Sequence, residues 1–174
     1  MKKKTKKEVD EMINEVKDPD KYEISWEDGK REFKSKANVK KGRTSKAQGA
    51  RFELKVREDL ESKGWTIGKW TNNIDLEQGK VVQAKRKYNP FKKVLVIGTG
   101  FPDFIAIKSL SGGVYSVIGV ESKMNGTLSK IEKEKCAWCL NNKIFSEIWI
   151  AKKKPEGRKI IVEYVDFVER YVKK

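Results

Sequence analysis

The chain has no histidine, two cysteines and four prolines in 174 residues. Without imidazole it lacks the usual neutral-pH general base, the usual proton shuttle and the commonest zinc ligand. Cys136 and Cys139 alone cannot build a four-ligand zinc site or an iron–sulfur cluster within one chain. No apolar run approaches the ~18–20 residues a bilayer-crossing helix needs, and the first residues are lysines where a signal segment would be apolar. A cytoplasmic chain with no membrane partner is expected. Acids are also scarce: 25 Asp and Glu face 40 Lys and Arg, a formal charge of +15. Such an imbalance points to a polyanion, nucleic acid first and an anionic membrane surface second. Any catalysis falls to carboxylates, lysines, hydroxyls, or a hard metal held by oxygen.

What the sequence does contain is concentrated between Gly100 and Lys123. Phe104-Ile105-Ala106-Ile107 and Val114 to Val120 are short β-branched and aromatic runs separated by Ser111-Gly112-Gly113, the pattern of a β-hairpin. Asp103 stands at the start of the first run and Glu121 at the end of the second, so the hairpin brings them together. Glu121 and Lys123, two residues apart, share one face of a strand. Two carboxylates and an ammonium therefore converge at one end of a small sheet.

The remainder reads as one domain with an appended arm. Residues 1–44 form a basic N-terminal arm in which Lys6 to Lys17 can make a short helix, stopped by Asp18-Pro19-Asp20. Lys30 to Lys46 carries eight bases against one acid, Glu32, the composition of a solvated or mobile segment that can also touch nucleic acid. The domain, 45–174, opens with a helix from Ser45 to Lys63, capped by Thr44 or Ser45 and closed by Gly64 in the left-handed conformation. Glu53 shares its inner stripe with Val56 and Leu60. There a carboxylate must be paired, hydrated or liganded; an i, i+4 ion pair with Arg57 would suffice. Trp65 to Thr71 reads as a strand, Asn72-Asn73 as a polar turn, Lys80 to Lys87 as a second strand and Val94 to Ile97 as a third. Six bases and no acid lie between Lys80 and Lys93, with Tyr88 and Phe91 interleaved, which suits a phosphate backbone or an exposed sheet edge.

Ser129 and Glu132 fit a capping box opening a helix to about Asn142. Cys136 and Cys139 lie in mid-helix, where buried apolar filling explains them better than redox chemistry. Phe145 to Ala151 is a strand, Lys152 to Arg158 a basic turn, Lys159 to Val165 a strand, and Asp166 the cap of a short final helix. The expected fold is α/β: a mixed sheet of about five strands flanked by helices.

Asp103 and Glu121 could offer two carboxylate oxygens, and the Ser122 backbone carbonyl a third, to a hard divalent cation such as Mg²⁺. Lys123 would stand where it can stabilise charge on a phosphate undergoing attack. An exposed Glu-x-Lys pair and an acid after a turn proline would explain the same residues without chemistry.

Three segments, Gly49-Ala50-Arg51-Phe52-Glu53, Gly100-Phe101-Pro102-Asp103 and Val120-Glu121-Ser122-Lys123, make the chain resemble the PD-(D/E)xK nuclease superfamily. Within that superfamily it is most similar to archaeal Holliday junction resolvase-like endonucleases, over Gly49 to about Asn142. The resemblance implies a restriction-endonuclease-like core and a DNA endonuclease dependent on Mg²⁺, with Mn²⁺ as a substitute. Asp103 and Glu121 would be its metal ligands, Lys123 its catalytic lysine and Glu53 a supporting helix acid. Duplex or branched DNA would be the partner and the assembly a homodimer. The charge of the basic runs, apart from the resemblance, makes Arg51, Lys85, Arg86, Lys87, Lys40, Lys41 and Arg43 the candidate DNA contacts. The alternatives are a DNA-binding protein that keeps the nuclease fold without cutting, and an interaction protein whose basic surface takes an acidic partner.

Overall fold

The computed structural model describes residues 5, 7, 14, 18, 20–27, 30–84, 86–89, 94–97, 100–157 and 159–172, side chains at 25–27, 30–32, 86–89 and 94–97 excepted. The chain divides into two compact units, Met1–Ala50 and Arg51–Lys174. Most of the short helix expected over 6–17 lies outside the described residues, as do Lys85 and the segment 90–93.

In the smaller unit, β1 (Tyr22–Glu27) and β2 (Lys30–Ser35) pair antiparallel, Tyr22 opposite Ser35 and Glu27 opposite Lys30. Helix α1 follows without a break and runs Lys36–Ser62. The basic run 30–46 is thus a strand and then a helix, with 40–46 exposed as expected of a solvated segment. The helix also starts nine residues ahead of the expected Ser45, with Thr44 and Ser45 inside it instead of capping it. The reason is propensity: Lys, Arg and Ala dominate 36–48, no proline interrupts, and one Gly costs only ~1 kcal/mol. Residues 40–48 of α1 are exposed on every side.

In the larger unit the character of α1 changes. Phe52, Val56 and Leu60, spaced by four, are buried. The helix ends as expected at Gly64 (φ +81). The Trp65 N–H donates to the Leu60 carbonyl and the Gly64 N–H to the Glu61 carbonyl, at 3.1 and 3.0 Å. These are the two bonds that satisfy the last carbonyls of a helix closed by a left-handed glycine.

After α1 come β3 (Thr66–Lys69), β4 (Asn72–Asp75), β5 (Lys80–Gln83), β6 (Arg86–Asn89), β7 (Val94–Ile97), β8 (Phe104–Ser109) and β9 (Tyr115–Ser122). They are followed by α2 (Lys130–Asn141), β10 (Glu147–Glu156), β11 (Lys159–Asp166) and α3 (Phe167–Tyr171). Five strands form one mixed sheet in the order β11-β10-β9-β8-β3. Only β9 and β10 run parallel, because α2 connects them and a parallel pair needs such a crossover. The pairs β4–β5 and β6–β7 are separate two-stranded hairpins.

Three expectations are corrected here. Asn72-Asn73 is not a turn but the start of β4, with Asn72 opposite Gln83; the turn falls at 76–79, ending in Gly79 at φ +58. The strand expected over Lys80–Lys87 breaks after Gln83 because its two halves pair with different partners, β4 and β7. The basic turn expected at 152–158 is strand as far as Glu156, carried by pairing with β11 and by a Lys152–Glu163 contact of 3.3 Å. Pro155 is tolerated because β10 pairs with β9 only as far as Ala151 and the next bond on that edge, from the Lys153 N–H to the Met124 carbonyl at 3.2 Å, falls two residues before it.

The sheet is apolar on both faces. Phe52, Val56 and Leu60 of α1 pack with Ile67, Phe104, Ala106 and Val120 on one side. Cys136 and Cys139 of α2, with Phe145, Ile148, Ile150 and Phe167, form the core on the other. Both thiols are fully buried, as expected of apolar fillers, and burial pushes the Cys139 thiol up to about 11. Strand β9, between two neighbours, is the innermost, with Ile118 to Glu121 all buried. Among the described residues no helix is long and apolar enough to cross a membrane.

Candidate active site

Hairpin register decides where the acids go. β8 and β9 pair antiparallel, with Phe104 opposite Val120 and Ser109 opposite Tyr115. Extended by one residue, that register sets Asp103 opposite Glu121. The preceding turn is fixed from below: the Phe101 N–H donates to the Asn72 carbonyl (2.8 Å), and the Trp70 N–H to the Asp103 carbonyl (3.1 Å). Gly100 passes so close to the Trp70 and Asn72 carbonyls that a Cβ there would overlap both. Pro102 is fully buried on Gly119, where a Cβ would lie 2.8 Å from Pro102 Cγ and 3.1 Å from Phe145 Cδ2. Two glycines therefore let the turn seat against the sheet and aim Asp103 at the end of β9.

The carboxylates are held reciprocally. The Asp103 N–H donates to Glu121 Oε2 at 3.1 Å, and the Ser122 N–H donates to Asp103 Oδ2 at 3.0 Å. The N–H and C=O of a strand residue turn to the same side, so the Ser122 carbonyl faces the side on which Asp103 lies. Lys123, just past β9, is anchored through its N–H to the Ala151 carbonyl at 2.9 Å. Its Nζ lies 3.0 Å from Glu121 Oε1 and 2.6 Å from Glu132 Oε1.

Glu121 is 4% exposed, the one buried charged residue among the described ones. Burial, then the nearby Asp103 charge, push its carboxyl up to about 8 against the pull of Lys123. Burial likewise raises Asp103; the Ser122 N–H opposes this and the charge of Glu53 adds to it. Burial disfavours the Lys123 ammonium, but its hydrogen bonds to Glu132 and Glu121 outweigh that and its pKa is raised. For Glu132 burial is outweighed by the Lys123 and Ser129 hydrogen bonds, which hold its carboxyl below the usual value.

Asp103, Glu121, Ser122 and Lys123 are thus brought together. Glu53 stands close enough for its charge to act on Asp103, but not through the ion pair first expected for it. Arg57 turns toward the next turn of α1 and pairs with Glu61 at 2.9 Å, whereas Glu53 faces Lys69 of β3 at 3.4 Å. Arg51 is exposed on α1 in the larger unit; Lys40, Lys41 and Arg43 are exposed on α1 in the smaller one. Arg86 and Lys87 belong to β6, but their side chains, like all of Lys85, lie outside the described residues.

Two participants are not evident from the sequence alone. Lys69 ends β3 opposite Phe104, the residue after Asp103; a lone lysine in the apolar strand expected over 65–71 was the available signal. Glu132 had a complete explanation in its capping box, which does form: its Oε2 accepts from the Ser129 N–H at 2.7 Å, and Ser129 Oγ accepts from the Glu132 N–H at 3.3 Å. That explanation used one carboxylate oxygen, and the other reaches Lys123.

Among the described residues no cluster of three or more acids, cysteines or histidines is arranged to hold a metal. What the site offers is two adjacent carboxylates, a donor set compatible with Mg²⁺, which binds through one or two carboxylates and keeps several waters. No family model, curated protein or solved structure matches the chain.

Proposed function

We propose that this protein is a metal-dependent DNA endonuclease with a PD-(D/E)xK site, acting on duplex or branched DNA in the manner of Holliday junction resolvase-like enzymes. The observation that supports it is the reciprocal Asp103–Glu121 pair, one member nearly buried, with the Lys123 ammonium 3.0 Å from Glu121. Each carboxylate accepts one backbone N–H, and the repulsion between the two is what a dication would relieve. Asp103 and Glu121 would hold Mg²⁺ or Mn²⁺, with the Ser122 carbonyl as a third oxygen. The metal would supply Lewis-acid polarisation of the scissile phosphate.

The chain's own residues supply the rest. Lys123, kept charged by its two acids, donates to a phosphate oxygen and stabilises the negative charge that grows as the phosphodiester is attacked. It serves as an electrostatic stabiliser and not as a base. Glu53 and Lys69 form a second ion pair beside Asp103 and hold it against the approaching backbone. Exposed Arg51, Lys40, Lys41 and Arg43 supply phosphate contacts that position the duplex without reading its sequence. A homodimer, the state the resemblance implies, would present two such sites to a branched substrate.

The test is cleavage of labelled four-way junction, flap, nicked and linear duplex DNA with Mg²⁺ or EDTA. Metal-dependent cutting that disappears in Asp103→Ala and in Lys123→Ala, with DNA binding retained, is expected. Wild-type protein that binds every substrate and cuts none with Mg²⁺ or Mn²⁺ would leave only the non-cutting DNA-binding alternative.

A further inference from the structure

Lys123 is long, flexible and attached just beyond the end of a strand, so its backbone anchor alone leaves the ammonium a wide range of positions. Two carboxylates from different elements narrow that range: Glu121 on β9 at 3.0 Å and Glu132 on α2 at 2.6 Å. Glu121 is already committed through Oε2 to the Asp103 N–H. Glu132 is fixed independently, because the capping box ties its Oε2 to the Ser129 N–H and leaves Oε1 pointing at Lys123. A capping box works as well with Gln as with Glu at this position. The helix start therefore does not require the negative charge of Glu132; Lys123 does.

We propose that Glu132 is a positioning residue that fixes the Lys123 ammonium over Glu121, coupling the first turn of α2 to the reacting centre. This rests on the endonuclease reading for its consequence in catalysis, but the hold itself is a property of the protein alone. Glu132 touches neither substrate nor metal in this scheme and acts only through Lys123.

Glu132→Gln and Ser129→Ala separate the two jobs of the carboxylate. Glu132→Gln keeps a capping side chain and removes the charge. Ser129→Ala removes a cap and leaves the Lys123 pairing. For cleavage, Glu132→Gln is expected to lower kcat by up to about 100-fold with KM changed less than about two-fold, the signature of a displaced reacting group. Ser129→Ala is expected to leave kcat unchanged and to lower the unfolding midpoint by about 3 °C.

The hold is read separately by acetic anhydride labelling of metal-free protein, quantified at Lys123 by mass spectrometry. Labelling should rise several-fold in Glu132→Gln and not in Ser129→Ala. Equal effects of the two variants on kcat and labelling, or no effect of Glu132→Gln on either, would overturn the proposal. Were the wild type to cut no DNA, the endonuclease reading would fail on its own, and the labelling ratio would decide whether Glu132 holds Lys123.

Discussion

Glu121 is the residue at which burial and charge pull hardest against each other, and pH exposes the conflict. Its carboxyl is raised from 4.5 to about 8, first by burial and then by the Asp103 charge. Below pH 4.5 it carries its proton in folded and unfolded chains alike. Between pH 4.5 and about 8 the unfolded chain loses the proton and the folded chain keeps it, so rising pH favours unfolding throughout that window. At ~1.4 kcal/mol per decade the loss reaches at most about 5 kcal/mol at the alkaline end. Glu121→Gln imitates the uncharged carboxyl: its amide oxygen can still accept from the Asp103 N–H and it cannot ionise, while its NH2 cannot accept from Lys123, which keeps Glu132. The variant should lie within about 1 kcal/mol of wild type at pH 5 and exceed it at pH 8.5 by several kcal/mol, about 10 °C in midpoint at ~3 °C per kcal/mol. Tryptophan fluorescence suits the measurement, since Trp65, Trp70, Trp138 and Trp149 all lie in the unit that contains the site. Mg²⁺ should recover wild-type stability at pH 8.5 and leave Glu121→Gln unmoved. A variant destabilised by the same amount at pH 5 and pH 9 would refute the reasoning, since it would make Glu121 an ordinary ionised structural acid.

Two further perturbations test the supports of the site and its reach. Gly119→Ala places a Cβ 2.8 Å from Pro102 Cγ; overpacking of this kind costs about 1–3 kcal/mol, so the midpoint should fall by several degrees, and an unchanged midpoint would mean that the turn is not seated on Gly119. Replacing Lys40, Lys41 and Arg43 together by Ala should reduce the slope of log affinity against log salt by about 3 for duplex DNA, at ~0.9 per phosphate contact; an unchanged slope would remove the first half of α1 from the DNA-binding surface.

How far the sequence could be read depended on how local the determining contacts were. The β8–β9 hairpin, the Ser129 capping box, the Asp166 cap, which accepts from the Val168 and Glu169 N–H groups at 2.8 and 3.0 Å, and the Gly64 helix stop are each set by residues a few positions apart. All four were legible. Where an element's state depends on a distant partner, local chemistry misled. Asn72-Asn73 looks like a turn because Asn favours turns, but pairing with Val82 and Gln83 makes it a strand. Lys152 to Glu156 looks like a basic loop until β11 is laid beside it. Glu53 looked paired within its own helix, and the tertiary neighbour Lys69 took it instead. The early start of α1 has another cause: Thr44 and Ser45 are capable caps, but helix propensity simply continues upstream of them.

The same distinction bears on what the site is for. An ion network that exists only to hold a fold tends to neutralise itself, since an uncompensated buried charge costs several kcal/mol. Here Lys123 is shared between Glu121 and Glu132, Lys69 is matched to Glu53, and the Asp103 carboxylate accepts from the Ser122 N–H. The carboxylates that face each other across the hairpin are the two acids, among the described residues, whose pKa values are raised. Groups whose ionisation is made unfavourable by burial together with a specific charged neighbour are enriched at functional sites. The rest of the local structure accommodates the conflict: Gly100 and Gly119 admit the turn, Pro102 fills the space over Gly119, and β9 is locked between two neighbours. Two carboxylates that resist ionising together are what a dication entering the frame would relieve, and for that reason the pH-dependent response of Glu121 to Mg²⁺ tests the proposed metal site more sharply than any loss of activity.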